Sequence, residues 1–139
     1  MSVALTPRVQ MLAVCDKIQE STKETGVFHV KGIRQQILAA SFPFAPKRLW
    51  LFFVFSYSRS GEFPCYVRVV NDQTDRTVYF TYLNPTPTFD SGGYWMGGAP
   101  IRCLFPEPGR YTVEVCFFQE HGIDVLKGEM HFWVIDESE

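Results

Sequence analysis

The sequence has no long apolar run. Its longest, Leu49 to Phe55, is seven residues, far short of the ~20 that a membrane-spanning helix needs. It also lacks a basic stretch: no run of Lys or Arg exceeds two residues and the formal net charge is −2. That is not the electrostatic footprint of a nucleic-acid binder. No basic segment precedes the first apolar residues, and Asp16 follows too early for a secretory leader. The expectation is therefore a cytoplasmic protein with neither nucleic acid nor membrane as partner. Chemistry-bearing motifs are missing too, with no CxxC, HxH, HExxH, GxGxxG, P-loop or GxSxG in the chain. No cofactor and no metal is expected. The four cysteines, Cys15, Cys65, Cys103 and Cys116, read as thiols in a reducing compartment. A Cys15 to Cys116 bridge is the alternative in an oxidising one.

What the chain has is apolar and aromatic mass. Of its 139 residues 46% are hydrophobic, and 13 are Phe, enough for a packed core without metal or crosslink. Apolar residues recur at period two or in short runs between Gly/Pro turns, with almost no helical pattern. Val9 to Ile18 reads as a first strand with Leu12, Val14 and Ile18 on one face; Asp16 breaks that face, so that it either sits at the strand end or pairs with an arginine such as Arg34 or Arg102. Val27 to Ile33 reads as a second strand with a bulge at Gly32. Residues 33 to 40 suit a bent strand better than a short helix.

Arg48 to Ser58 is the strongest strand and is apolar on both faces, as a central, doubly covered strand would be. Strands follow at 64–71, 77–82 and 101–105, then at 110–118 and 130–135. Tyr111, just after a Pro-Gly turn, resembles the tyrosine-corner device. Residues 83 to 100, with three prolines and four glycines, read as a long aromatic loop. Seven or eight short strands imply one all-β domain over residues 1–139, an antiparallel β-sandwich, with a closed barrel as the other candidate.

The order of features resembles an uncharacterised family of small bacterial β-sandwich proteins. The residues that carry the likeness are VCD at 14–16, GVFHVKGI at 26–33, Phe42-Pro43 and LFPEPGRYTVEV at 104–115. The resemblance implies an immunoglobulin-like architecture in a bacterial cytoplasm and brings no activity, cofactor or catalytic residue.

For function, the two-faced apolarity of residues 49–57 and 130–135 is the leading hint, because monomers rarely leave large apolar faces open. It points to a non-enzymatic module that self-associates as a homodimer or meets another protein through an outer aromatic face. Trp50, Phe52, Tyr94, Trp95, Met96 and Trp133 are the candidate residues. Tyr94 to Met96, folding back from the flexible loop, is the expected cover of the second face. The alternatives are a hydrolase or metal-dependent enzyme near Glu120, His121 and Asp124, and a sugar- or apolar-ligand-binding module using residues 89–100. Cys15 beside Asp16 reads as a core residue rather than a nucleophile, since no activating base accompanies it.

Overall fold

The computed structural model describes residues 6–118 and 125–138. The described chain is all-β: twelve strands in four open sheets, none closing into a barrel. β1 (Arg8–Cys15) and β10 (Gly93–Pro100) flank β5 (Trp50–Tyr57), both antiparallel to it. A five-stranded sheet runs in the order β4 (Gln36–Ala39), β12 (Val125–Asp136), β11 (Gly109–Phe117), β7 (Cys65–Asn71), β8 (Arg76–Tyr82). Its β4–β12 pair is parallel, so the arrangement is mixed rather than wholly antiparallel. Two small sheets complete it: β2 (Lys17–Glu20) with β3 (Phe28–Lys31), and β6 (Gly61–Glu62) with β9 (Thr88–Phe89).

Alternation along the strands explains the core. On β11 Tyr111, Val113, Val115 and Phe117 are buried together, and on β5 Leu51, Phe53 and Phe55 answer them. The rings of Phe55 and Phe117 lie 5.3 Å apart, so the main core lies where the inner faces of the two larger sheets meet. Tyr111 is fully buried and donates its phenol proton to the Glu107 carbonyl at 2.6 Å, as the tyrosine-corner reading expects. Asn71, also buried, donates to Glu107 Oε1 at 3.0 Å and accepts from the Gln73 and Thr74 amides. The 71–76 hairpin is thereby tied to the start of β11.

Four sequence expectations change. The first strand stops at Cys15, because the Asp16 amide turns away to the Lys31 and Gly32 carbonyls. Ile18 consequently leaves the face of Leu12 and Val14 and packs on the opposite side of the sheet. Of the two expected arginines, Arg34 is the one that partners Asp16, with Nε and Nη2 on its two oxygens at 2.5 and 2.9 Å. Gly32 is obligatory beside this pair: its φ is +67°, and a Cβ there would lie 2.3 Å from Asp16 Oδ2. Residues 101–105 form no strand; Phe105 makes a single bridge to Phe44.

The fourth change is the largest. The expected aromatic loop contains an eight-residue strand, β10, in register with β5 from Gly93↔Tyr57 to Pro100↔Trp50. A period-two signal was hidden because two of its positions, Gly97 and Gly98, carry no side chain. At Gly98 the absence is spatial: a Cβ would sit 2.3 Å from Ile18 Cδ1. The β2–β3 hairpin lies across the outer face at this point, and only a glycine admits its isoleucine so close.

Candidate functional site: the outer sheet faces

The outer face of the three-stranded sheet has its own cover. Ala13, Cys15 and Phe52 form a second apolar cluster against Ile18, Phe28 and Val30 of the hairpin, and the Phe28 and Phe52 rings are 5.9 Å apart. Residues 17–31, not Tyr94–Met96, provide this cover. The reading of 94–96 as a segment folded over the sheet is thus corrected, since those residues are part of the sheet itself.

The six sequence-derived site residues are not brought together. Phe52 is 6% exposed beneath the hairpin. Trp95, opposite Phe55, packs on the main core. Tyr94, 69% exposed, and Met96 stand on the outer face beyond the hairpin, where Met96 is in line with Val54 and Met11. Trp50 lies at the start of β5, in the wall of a cleft. Trp133, 53% exposed, belongs to the other sheet. Glu120, His121 and Asp124 lie outside the described residues.

The five-stranded sheet presents a different outer face. Register places Tyr66 opposite Tyr82 and Cys116, and Arg68 opposite Phe80 and Glu114. Tyr66, Phe80, Tyr82 and Phe118 therefore gather at one end. Ring centroids are 4.9 Å apart for Tyr66–Phe80, 5.1 Å for Phe80–Tyr82 and 5.3 Å for Tyr66–Phe118. Tyr82 and Phe118 stack at 6.1 Å and 23°. Tyr66 is buried as the base, while the other three rings are exposed, Tyr82 at 62%. Leu126, opposite Cys116, extends the patch onto β12. No other described strand pairs onto or packs across this face. Phe80 and Tyr82 alternate visibly in the sequence, but only strand register reveals that Tyr66 and Phe118 meet them.

Polar groups occupy the middle of the same face. Arg68 and Glu114 form an ion pair. Beside it Arg110 Nε bonds Asp72 Oδ2 at 2.6 Å, Thr112 Oγ1 donates to Asp72 Oδ1 at 2.6 Å, and His131 Nδ1 lies 2.8 Å from the same hydroxyl. A hydroxyl has one proton. With it given to Asp72, His131 must donate from Nδ1. Both His131 and Arg110 are about half exposed; the array sits in water and is assigned no reaction.

All four cysteines are buried. Burial pushes Cys65 up to about 12, with the nearby Cys116 adding to it, and burial alone pushes Cys103 up to about 12. Cys15 is raised as well, first by burial. None of the four is in a disulfide, so the Cys15–Cys116 alternative is absent. Among the described residues no group of His, Cys, Asp or Glu is arranged to hold a metal ion, and no helix is long and apolar enough to cross a membrane.

The fold and faces define an all-β protein. No family model matches the chain, and no curated protein matches it. Among solved structures it is similar to the soluble domain of PmoD from Methylocystis sp. ATCC 49242 (Rockwell). Identity is 12%, the match covers 92% of this chain and 97% of that one, and the TM-score is 0.37. At that level nothing about function is carried across.

Proposed function

We propose that the protein is a non-enzymatic interaction module whose working surface is the outer face of the five-stranded sheet, and that a second copy of the chain is its partner. The observation that carries this reading is the exposed ring group Phe80, Tyr82 and Phe118 standing on buried Tyr66. Aromatic residues are enriched where proteins meet, and rings anchored on a buried base lose little freedom on binding. The adjacent edge of β8 is unpaired by any described strand, so a two-fold copy could meet rings and strand edge at once. The Arg68–Glu114 and Arg110–Asp72 pairs supply a polar surround.

The same reading takes the two larger sheets as an immunoglobulin-like sandwich and the chain as a member of the small bacterial family that it resembles. The corner bond of Tyr111 and the core shared by both sheets support it. A cytoplasmic setting is part of the proposal, supported by four cysteines kept as buried thiols.

Light scattering on a sizing column tests the partner. The wild type should be dimeric at high micromolar concentration. Tyr82→Ser combined with Phe118→Ser should be monomeric with little change in thermal unfolding, because truncating a central aromatic anchor costs on the order of 2 kcal/mol or more of binding. A strictly monomeric wild type, or a double variant that dimerises as well as the wild type, would reject self-association through this face.

A further inference from the structure

A cleft of about 670 Å³ opens at the end of the three-stranded sheet. Its walls are the start of β2, the 45–50 lead into β5, and residues 100–104 after β10. Four cations line it: Lys17, Lys47, Arg48 and Arg102. Its one carboxylate is Asp16, and both oxygens of Asp16 are already taken by Arg34.

This grouping is unusual for the chain. The protein as a whole is acidic, with 15 carboxylate side chains to 13 Lys and Arg. Three other arginines, Arg34, Arg68 and Arg110, each bond a carboxylate. The four cleft cations have no carboxylate bonded to them among the described residues. Like charges gathered in a concavity with apolar walls focus a positive potential, and their mutual repulsion is relieved when an anion enters. The wall also carries Trp50, partly exposed, and the exposed Leu104. The cleft therefore offers a cationic part for a multiply charged group and an aromatic part for a planar one. Its volume falls within the ~300–1,000 Å³ of sites that enclose small ligands.

We infer that this cleft binds a small organic phosphate of nucleotide type. Arg48 and Arg102, whose planar guanidinium groups match phosphate oxygens two at a time, hold the phosphates. Lys17 and Lys47 add charge. Trp50 takes the planar ring on its face. A phosphate of this kind could also be presented by an anionic lipid headgroup. Walls from three separate chain segments, rather than one flat basic plane, favour the soluble ligand.

Calorimetric titration of the whole chain with adenosine diphosphate, pyrophosphate and adenosine separates the two parts of the site. The diphosphate should bind more tightly than pyrophosphate, adenosine alone should not bind measurably, and added salt should weaken both phosphates. Arg48→Gln and Arg102→Gln, both at exposed positions, should each weaken the diphosphate by about ten- to a hundredfold, since charge-assisted hydrogen bonds contribute roughly 1.5–3 kcal/mol. Trp50→Leu should remove the preference for diphosphate over pyrophosphate while leaving pyrophosphate binding intact. The exposed Arg8→Gln, outside the cleft, should change nothing. No binding of either phosphate at millimolar concentration overturns the inference, as does binding that Arg48→Gln and Arg102→Gln leave unchanged. Sedimentation with phosphoinositide vesicles that requires Arg102, without binding of the free diphosphate, overturns the soluble ligand in favour of the headgroup.

Discussion

Phe52 and Tyr82 are two aromatic residues on outer sheet faces whose truncation should have opposite consequences. Phe52 is 6% exposed, with Phe28 at 5.9 Å above it, Ala13 opposite it on β1 and Gly98 opposite it on β10. Buried Phe→Ala changes cost ~3–5 kcal/mol, less where the surroundings can collapse into the cavity. The hairpin over Phe52 is a two-stranded flap able to settle, so Phe52→Ala should cost about 3 kcal/mol, the lower end of that range. Tyr82 is 62% exposed; its truncation removes ring stacking worth ~0.5–1.5 kcal/mol and creates no cavity. Urea denaturation followed by tryptophan fluorescence reads both. With a slope near 2 kcal/mol/M, the Phe52→Ala midpoint should fall by roughly 1.5 M and the Tyr82→Ala midpoint by roughly 0.25–0.75 M. Measurements belong at concentrations where the protein is monomeric, since association would protect Tyr82. A Phe52→Ala midpoint that moves no more than that of Tyr82→Ala would refute the assignment of residues 17–31 as the cover.

Tyr111→Phe keeps the ring and removes the phenol's hydrogen bonds with the Glu107 carbonyl and the Asn71 side chain; it should cost about 1–2 kcal/mol in the same denaturation assay, and a cost below ~0.5 kcal/mol would show that these bonds are dispensable. The buried thiols set an alkaline limit. Cys65 and Cys103 titrate near 12 in the fold and near 9 when unfolded. Between those values the unfolded chain has released protons that the native chain still holds, so stability falls as pH rises above 9. The loss is about 1.4 kcal/mol per thiol at pH 10, and replacing both with Ala should flatten the midpoint between pH 8.5 and about 10. A native chain whose thiols react with a disulfide reagent at pH 8 as fast as in urea would contradict their burial.

Most strands were legible because their faces alternate. β11 announces itself through Tyr111, Val113, Val115 and Phe117, and β5 through apolar residues on both faces, as a central covered strand requires. The Tyr111 corner could be read from a Pro-Gly turn and one tyrosine. β10 was not legible. Glycine in a strand contributes no side chain to the pattern, so Gly93, Gly97 and Gly98 look like turn residues unless the neighbouring strand is known. The site was less legible than the fold. Apolar excess on β5 was visible, but the sequence could not say that Phe28 and Ile18 would fold back onto it, because that depends on a chain reversal at Asp16.

The sequence by itself determined an all-β chain with a large aromatic core, no apolar run long enough for a membrane-spanning helix and no recognisable catalytic motif; composition and period-two alternation suffice for that, since they are local properties. Tertiary structure decided which apolar face is closed and which is open. Phe52 is buried by a hairpin more than 20 residues away in the chain, whereas Phe80, Tyr82 and Phe118 meet only through the register of β7 with its neighbours. It also decided that Lys17, Lys47, Arg48 and Arg102 share one cleft. Long-range pairing, not residue type, makes a surface out of residues that are dispersed in sequence, and the aromatic stretch at 93–100 became a strand for the same reason: β5 was there to pair with it.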